Sequence, residues 1–398
     1  MPDATRASGR SDGTGRLRAI LLVVVVLLLA GTVVLGVVFV RMLQPAGAPT
    51  KAEPDGLVWV KSMYGFGSAK DEQLLEPTSV AIAPNGDVYA NDPQRARVMR
   101  FASDGTFKSL VHTGAGGTGK GQFIRPGSLA TDGDGNLYVA DPFANKIIVF
   151  DDRDTYLREW ATDRPNGVSV HGDAVYVMTN GVVTVFGKGG EPRGSFGRRG
   201  RARGEIDAYQ GVIGDGSRIY VADALNRRLE AFELNGDVAW VRPDPDASVA
   251  TATADTTPTA GAEQLYDLPQ DLVFDGAGRL VVIDAFRFET VVVDPKDGKV
   301  LARYGEYGTN DGQFFYPTGI DYDPARDWFA IADTRNDRVQ IVRLPGSGET
   351  LPAPARRLMA SPWRYCALPL ALVALALAAA LVGRRRAAAA VSRAETPE

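Results

Sequence analysis

GTGKGQFIRPGSLATDGDGNLYVADPFANKIIVF, Gly117 to Phe150, decides the fold once two misleading motifs in and around it are set aside. Gly114–Gly121, GAGGTGKG, has the form G-x-x-x-x-G-K but lacks the Ser or Thr that would complete a phosphate loop. Such a loop also needs a buried strand before it and a helix after it, so that backbone N–H groups converge on phosphate. Pro126 and the alternating apolar residues that follow read instead as short strands separated by turns. DGDGN, Asp132 to Asn136, imitates the opening of a calcium loop, but the twelfth position is Phe143 where a bidentate Glu is required. A hairpin turn is the better reading.

The end of this stretch recurs. GDVYANDPQRARVMRF, GNLYVADPFANKIIVF, DAVYVMTNGVVTVF, SRIYVADALNRRLEAF, GRLVVIDAFRFETVVV and DWFAIADTRNDRVQIV superpose, with anchors at Asp92, Asp141, Thr179, Asp223, Asp284 and Asp333. Units of about 40–50 residues carrying four strands are the signature of propeller blades. Five residues beyond the anchors stand Arg97, Lys146, Arg228, Glu289 and Arg338, while the third copy shortens its loop to TNGV. Aligned by repeat, GTGKGQFIRP matches GTNDGQFFYP, Gly308 to Pro317, with Asp311 in place of Lys120. The glycines therefore serve a connection between blades, and no nucleotide role is assigned to them.

The pattern resembles the NHL repeat, in which a G-Q-F-x-x-P lead-in precedes an inner strand and a Y-V-A-D ending precedes a tight turn. The resemblance covers about residues 56–344 and implies an all-β, six-bladed propeller. In such a ring each blade runs from strand a at the central channel to strand d outside. The last repeat ends after its third strand, so Leu57 to Met63 is expected to supply the fourth, beside Val339 to Leu344. That closure leaves no open sheet edge. It also sends both chain ends off one face, opposite the face that carries the lead-ins and the turns after the anchors.

Residues 19–40 form a 22-residue segment without a charge, long enough to span a bilayer. Residues 365–383 form a second apolar segment, bordered by Trp363 and Tyr365 on one side and Arg384, Arg385 and Arg386 on the other. Arg6, Arg10, Arg16 and Arg18 precede the first, so the positive-inside rule puts both tails, 1–18 and 384–398, in the cytoplasm. The expected organisation is two spans joined by linkers 41–55 and 345–364 to an extracellular propeller at 56–344, with a low-complexity insertion at 243–264. The Ala-, Arg- and Val-rich composition suggests a bacterial chain. Residues 51–350 hold 32 Lys and Arg against 44 Asp and Glu, a poor balance for a nucleic-acid partner. Cys366, the single cysteine, lies in the second segment, which excludes an intramolecular disulfide and a Cys-based metal site.

Candidate site residues follow from the repeat. Just after the lead-in Pro, or its equivalent, Thr78, Gly127, Asn166, Gln210, Gln270 and Thr318 should ring the outward mouth of the channel, with Ser79, Ser128 and Asp271 beside them. Such a ring either binds a polar ligand or lines a wet channel. The outward turns place Arg95, Phe143, Arg227, Phe286, Arg287 and Arg335 on the same face, as partner contacts or as a solvated rim. The anchors Asp92, Asp141, Asp223, Asp284 and Asp333 are expected to accept backbone N–H bonds in the turn that follows each.

Amidating lyases that resemble this family use several channel histidines, whereas this chain has only His112 and His171. Lactonase-type propellers bind calcium through channel Asn, Asp and Glu, which Asn166, Gln270 and Asp271 imitate thinly. The leading expectation is a non-catalytic scaffold or sensor for an extracellular protein or polar ligand, without cofactor, similar to sensor domains of some bacterial transmembrane kinases. The alternative is a calcium-dependent lactonase-, hydrolase- or lyase-type enzyme at the channel mouth.

Overall fold

A computed structural model of the protein describes residues 56–111, 116–207, 210–244 and 264–348. They build six four-stranded antiparallel sheets, each ordered a-b-c-d. The inner strands are Val80–Ile82, Ser128–Thr131, Gly167–His171, Val212–Gly214, Pro269–Phe274 and Pro317–Asp323. Each touches the next in sequence, and the last touches the first. The ring closes as expected: Val58–Met63 pairs antiparallel with Arg338–Arg343, Val58 opposite Arg343 and Met63 opposite Val339. Both ends of the ring therefore leave side by side, on the face away from the turns that follow the anchors.

Blades pack face to face, so every b strand is covered on both sides. This explains why Val88–Asp92, Leu137–Asp141 and Leu280–Asp284 are buried at all five positions instead of alternating. Six apolar clusters fill the seams between neighbouring blades, and the one between blades six and one takes Met63 from the closing strand. Where inner strands converge, side-chain room vanishes: a Cβ on Gly167 would lie 1.9 Å from the carbonyl oxygen of Gln210.

The b–c loops explain the repeat pattern. In five blades the residue four past the anchor sits in the left-handed region, namely Ala96, Asn145, Arg227, Phe288 and Asp337. Blade three replaces this loop with Asn180-Gly181, both at positive φ, between the paired Thr179 and Val182. Those two residues supply the turn that matches the twist of a tight hairpin. DGDGN is a turn as well, with Asp132 Oδ1 accepting the N–H groups of Asp134 and Asn136.

Beyond the last strand the chain does not leave at once. Ser347 is buried and donates to Asp327 Oδ1 (2.6 Å) and Leu344 O, while Arg279 donates to Pro345 O. Pro345–Gly348 thus belongs to the folded ring, which corrects the expected start of the linker at 345. Among the described residues no helix is long and apolar enough to cross a membrane. The segments 19–40 and 365–383, His112, and residues 245–263 of the insertion lie outside the described residues.

Candidate functional site

The outward mouth of the channel encloses about 380 Å³. Thr78, Gly127, Asn166, Gln210, Gln270 and Thr318, one from each blade, all line it. Their convergence follows from the lead-in, which ends in Pro in five of six blades and delivers the next residue to the head of strand a. Pro93, Pro142 and Phe143 from the b–c turns, with Arg125 and Tyr316 from the lead-ins, complete the wall.

The six ring positions differ in what they still offer. Thr318 Oγ1 donates to Thr78 O (3.0 Å) and lies 2.7 Å from Thr334 Oγ1, and Thr78 Oγ1 accepts from Asn91 Nδ2 (2.8 Å). Those hydroxyls stitch blades together. By contrast, no hydrogen bond occupies the side-chain amides of Asn166, Gln210 and Gln270 among the described residues, and Gln210 Oε1 is shut from solvent without a donor. Three neighbouring blades thus present an arc of unpartnered carboxamides.

Ser128 and Asp271 stand apart from this ring, in a narrower channel section of about 90 Å³. There the side chain of one inner strand reaches a backbone N–H of the next. Ser79 Oγ accepts from Leu129 (3.0 Å), Ser128 Oγ from Val168 (3.1 Å), Asp271 Oδ2 from Ile320 (3.1 Å) and Asp321 Oδ2 from Ile82 (2.6 Å). Burial, reinforced by the neighbouring Asp321 charge, pushes the Asp271 carboxyl up to about 7 against its N–H bonds, and burial pushes Asp321 up to about 6.

The anchor aspartates are fully buried and act differently from the expectation. Only Asp141 accepts backbone N–H groups of its own turn, from Phe143 and Ala144, and it also takes Ile124 and Arg125 of the lead-in, whereas Asp223 and Asp333 reach their turns through the side-chain amides of Asn226 and Asn336. Asp284 accepts from Asp267 and Leu268, Asp223 from Asp207, and Asp333 from Phe315, all upstream lead-in residues. Asp92, Asp223 and Asp333 each pair with the Arg five residues on, and that Arg reaches lead-in carbonyls. Lys146 clamps Thr118 O and Gly119 O of the false phosphate loop. The anchor Asp, with the basic residue five on where one is present, therefore pins the lead-in to its blade in the five blades that carry it, and only in blade two does the anchor also accept backbone N–H groups of the following turn.

No family model matches the chain. Over 224 residues it is 21% identical to NHL repeat-containing protein 3 of Homo sapiens, an alignment that covers 51% of this chain and 59% of that protein. The chain fits the NHL-repeat propeller family. It spans about three fifths of the length of that relative. Among solved structures, this NHL-type chain is similar to a streptogramin B lyase (11% identity, 73% of this chain and 98% of that one, TM-score 0.49). A gluconolactonase from Xanthomonas campestris gives 15%, 76%, 99% and 0.49, and an auxiliary nutrient binding protein from Bacteroides ovatus 13%, 72%, 76% and 0.49.

On the outward rim of the NHL ring, Phe143 and Phe286 are more than half exposed. The arginines of the outward turns are all engaged within the chain. Arg95 bonds Asp92, Gln73 O and Lys70 O; Arg227 and Arg287 share Asp267; Arg335 pairs with Glu76 of the adjoining blade. Arg125 is different. Its guanidinium lies 5.4 Å from the Phe143 ring centroid, and no carboxylate or carbonyl takes it among the described residues. The repeat pattern did not single it out, although its place directly before Pro126 was the available signal.

Proposed function

We propose that this protein is a non-catalytic, membrane-anchored binding scaffold that captures a polar ligand or protein at the outward mouth of its propeller. The observation that carries this reading is the arc of Asn166, Gln210 and Gln270, three carboxamides on successive blades with no hydrogen-bond partner among the described residues, lining a cavity of about 380 Å³. Pre-formed concave sites with a few converging polar groups suit ligand binding, and buried amides without partners favour an occupant that supplies them. In the proposed arrangement the apolar segments 19–40 and 365–383 cross a bacterial cell membrane, both tails are cytoplasmic, and the mouth looks away from the cell.

One observation favours a second reading, a hydrolase or lyase: Asp271 lies in the channel below the mouth with its carboxyl held near 7, suited to proton transfer at neutral pH. A calcium-dependent version fits the donor set poorly. Both Asp271 oxygens already accept N–H groups, from Leu272 and Ile320, and the raised pKa favours a neutral carboxyl where calcium requires charged oxygens. The test uses the full chain in lipid vesicles, with thermal shift and product detection against a panel of small polar compounds. Saturable binding without turnover, lost when Asn166, Gln210 and Gln270 are replaced together by Ala, is expected. Turnover that disappears in Asp271→Asn replaces the scaffold with the enzyme.

A further inference from the structure

We infer that the mouth takes a carboxylated saccharide, with Arg125 as the group that selects the carboxylate; this rests on the mouth being a ligand site. Three features of the wall converge on that chemistry. The first is charge. Among the described residues lining the mouth Arg125 alone is charged, in a domain where acids outnumber bases. A zwitterionic amino acid would leave its ammonium without an acid to meet. A polyphosphate would face a single cation where several are needed. One carboxylate with no accompanying positive charge matches the wall.

The second feature is hydrogen bonding. Each unpartnered carboxamide offers both donors and an acceptor, so the arc of Asn166, Gln210 and Gln270 can serve neighbouring hydroxyl groups, which also donate and accept. The third is the pair of aromatic walls. Phe143 stands on one side under Arg125, and Tyr316 packs against Phe286 on the other, 5.6 Å between centroids with the rings tilted by 50°. Flat apolar faces flanking a polar floor suit a sugar ring, whose C–H faces are apolar and whose edge carries the hydroxyls.

The seams between blades explain why Arg125 is available. The residue before the lead-in Pro meets the residue two past the anchor of the preceding blade: Glu76 pairs with Arg335, and Tyr316 packs against Phe286. At the seam of blades one and two the same rule sets Gln94 against Arg125, but Gln94 Nε2 bonds Glu76. Arg125 is left with the face of Phe143, which holds a guanidinium in place without neutralising it. Arg164, at the equivalent position of blade three, is also exposed, and no acid or carbonyl takes its guanidinium among the described residues.

Calorimetric titration of the full chain in neutral-lipid vesicles tests this with a galactose trimer in which one residue is galacturonate, the neutral galactose trimer, and a hexapeptide containing one Glu. Expected is saturable binding of the monocarboxylated trimer, at least tenfold tighter than the neutral trimer and weakened by salt. Arg125→Gln should remove that tenfold difference and Arg125→Lys should restore part of it, with the thermal midpoint of both variants unchanged because the side chain is exposed. Equal binding of both trimers, indifferent to Arg125→Gln but lost on replacing the three carboxamides, overturns the carboxylate inference and leaves the mouth as a ligand site. Binding of the peptide and neither saccharide overturns the inference too. Binding of the monocarboxylated trimer that persists when both Arg125 and the carboxamides are replaced overturns the inference and the mouth site together.

Discussion

Replacing Asp333 with Ala tests the claim that the anchors hold the lead-ins to their blades. Asp333 is completely buried and accepts the N–H of Phe315 (2.7 Å), Asn336 Nδ2 (2.8 Å), Arg338 Nε (2.8 Å) and Gln340 Nε2 (2.9 Å). Its loss strands a buried guanidinium and several donors at once. Breaking one side of a buried ion pair costs about 3–5 kcal/mol. Arg338 keeps the carbonyls of Asn310 and Gln313, which puts the expected loss near the lower end, about 3 kcal/mol. For a domain of this size each kcal/mol moves the thermal midpoint by roughly 2–4 °C, so a fall of about 6–12 °C is expected by calorimetry. Asp92→Ala supplies the internal comparison. Among the described residues Asp92 Oδ2 meets only Arg95 and Arg97, both more exposed than Arg338, and Oδ1 has no partner. Its loss should be clearly the smaller. A drop below about 2 °C for Asp333→Ala, or one no larger than that of Asp92→Ala, refutes the clamp.

Two further outcomes are expected. Asp271 holds its proton more tightly folded, near 7, than as an ordinary carboxylic acid, so its stabilising contribution is complete below about pH 4 and is lost as pH rises through 7. Chemical unfolding from pH 5 to 8 should show Asp271→Asn losing less stability than the native protein across that range, by about 2 kcal/mol after allowing for relaxation; a parallel pH profile refutes the shift. Deleting residues 56–63 removes the partner of Arg338–Arg343 and takes Met63 from the seam of blades six and one. The exposed edge should drive self-association and lower the unfolding midpoint. Light scattering that shows an unchanged monomer, with an unchanged midpoint, argues against the closure.

Much of the ring was legible because local chemistry repeats in register. The alternation of apolar strands, the anchors, the Asn180-Gly181 turn of blade three and the orphaned third strand of the last repeat each imply one feature, and together they imply closure. The six mouth positions were legible for the same reason, since the lead-in delivers an equivalent residue from every blade. The long-range partners were not. Arg335 and Glu76 are 259 residues apart, and Arg227 and Asp267 are 40 apart. A repeat alignment shows which residue type stands at a position but not which neighbour from the next blade answers it.

That limit decides how the rim is understood. An arginine in an outward turn invites assignment to a partner, yet Arg95, Arg227, Arg287 and Arg335 each neutralise or bridge groups of the chain itself. A side chain already held by an internal acid must lose that bond before it can serve a ligand, and most of what it gains by binding goes into replacing what it lost. Among the described residues Arg125 has no such bond, nor have Asn166, Gln210 and Gln270, so a ligand's interaction with them is not set against a broken one within that set. Under the proposed function, unmet hydrogen-bonding capacity, more than residue type or exposure, points to the mouth between Arg125 and the carboxamide arc as the binding face.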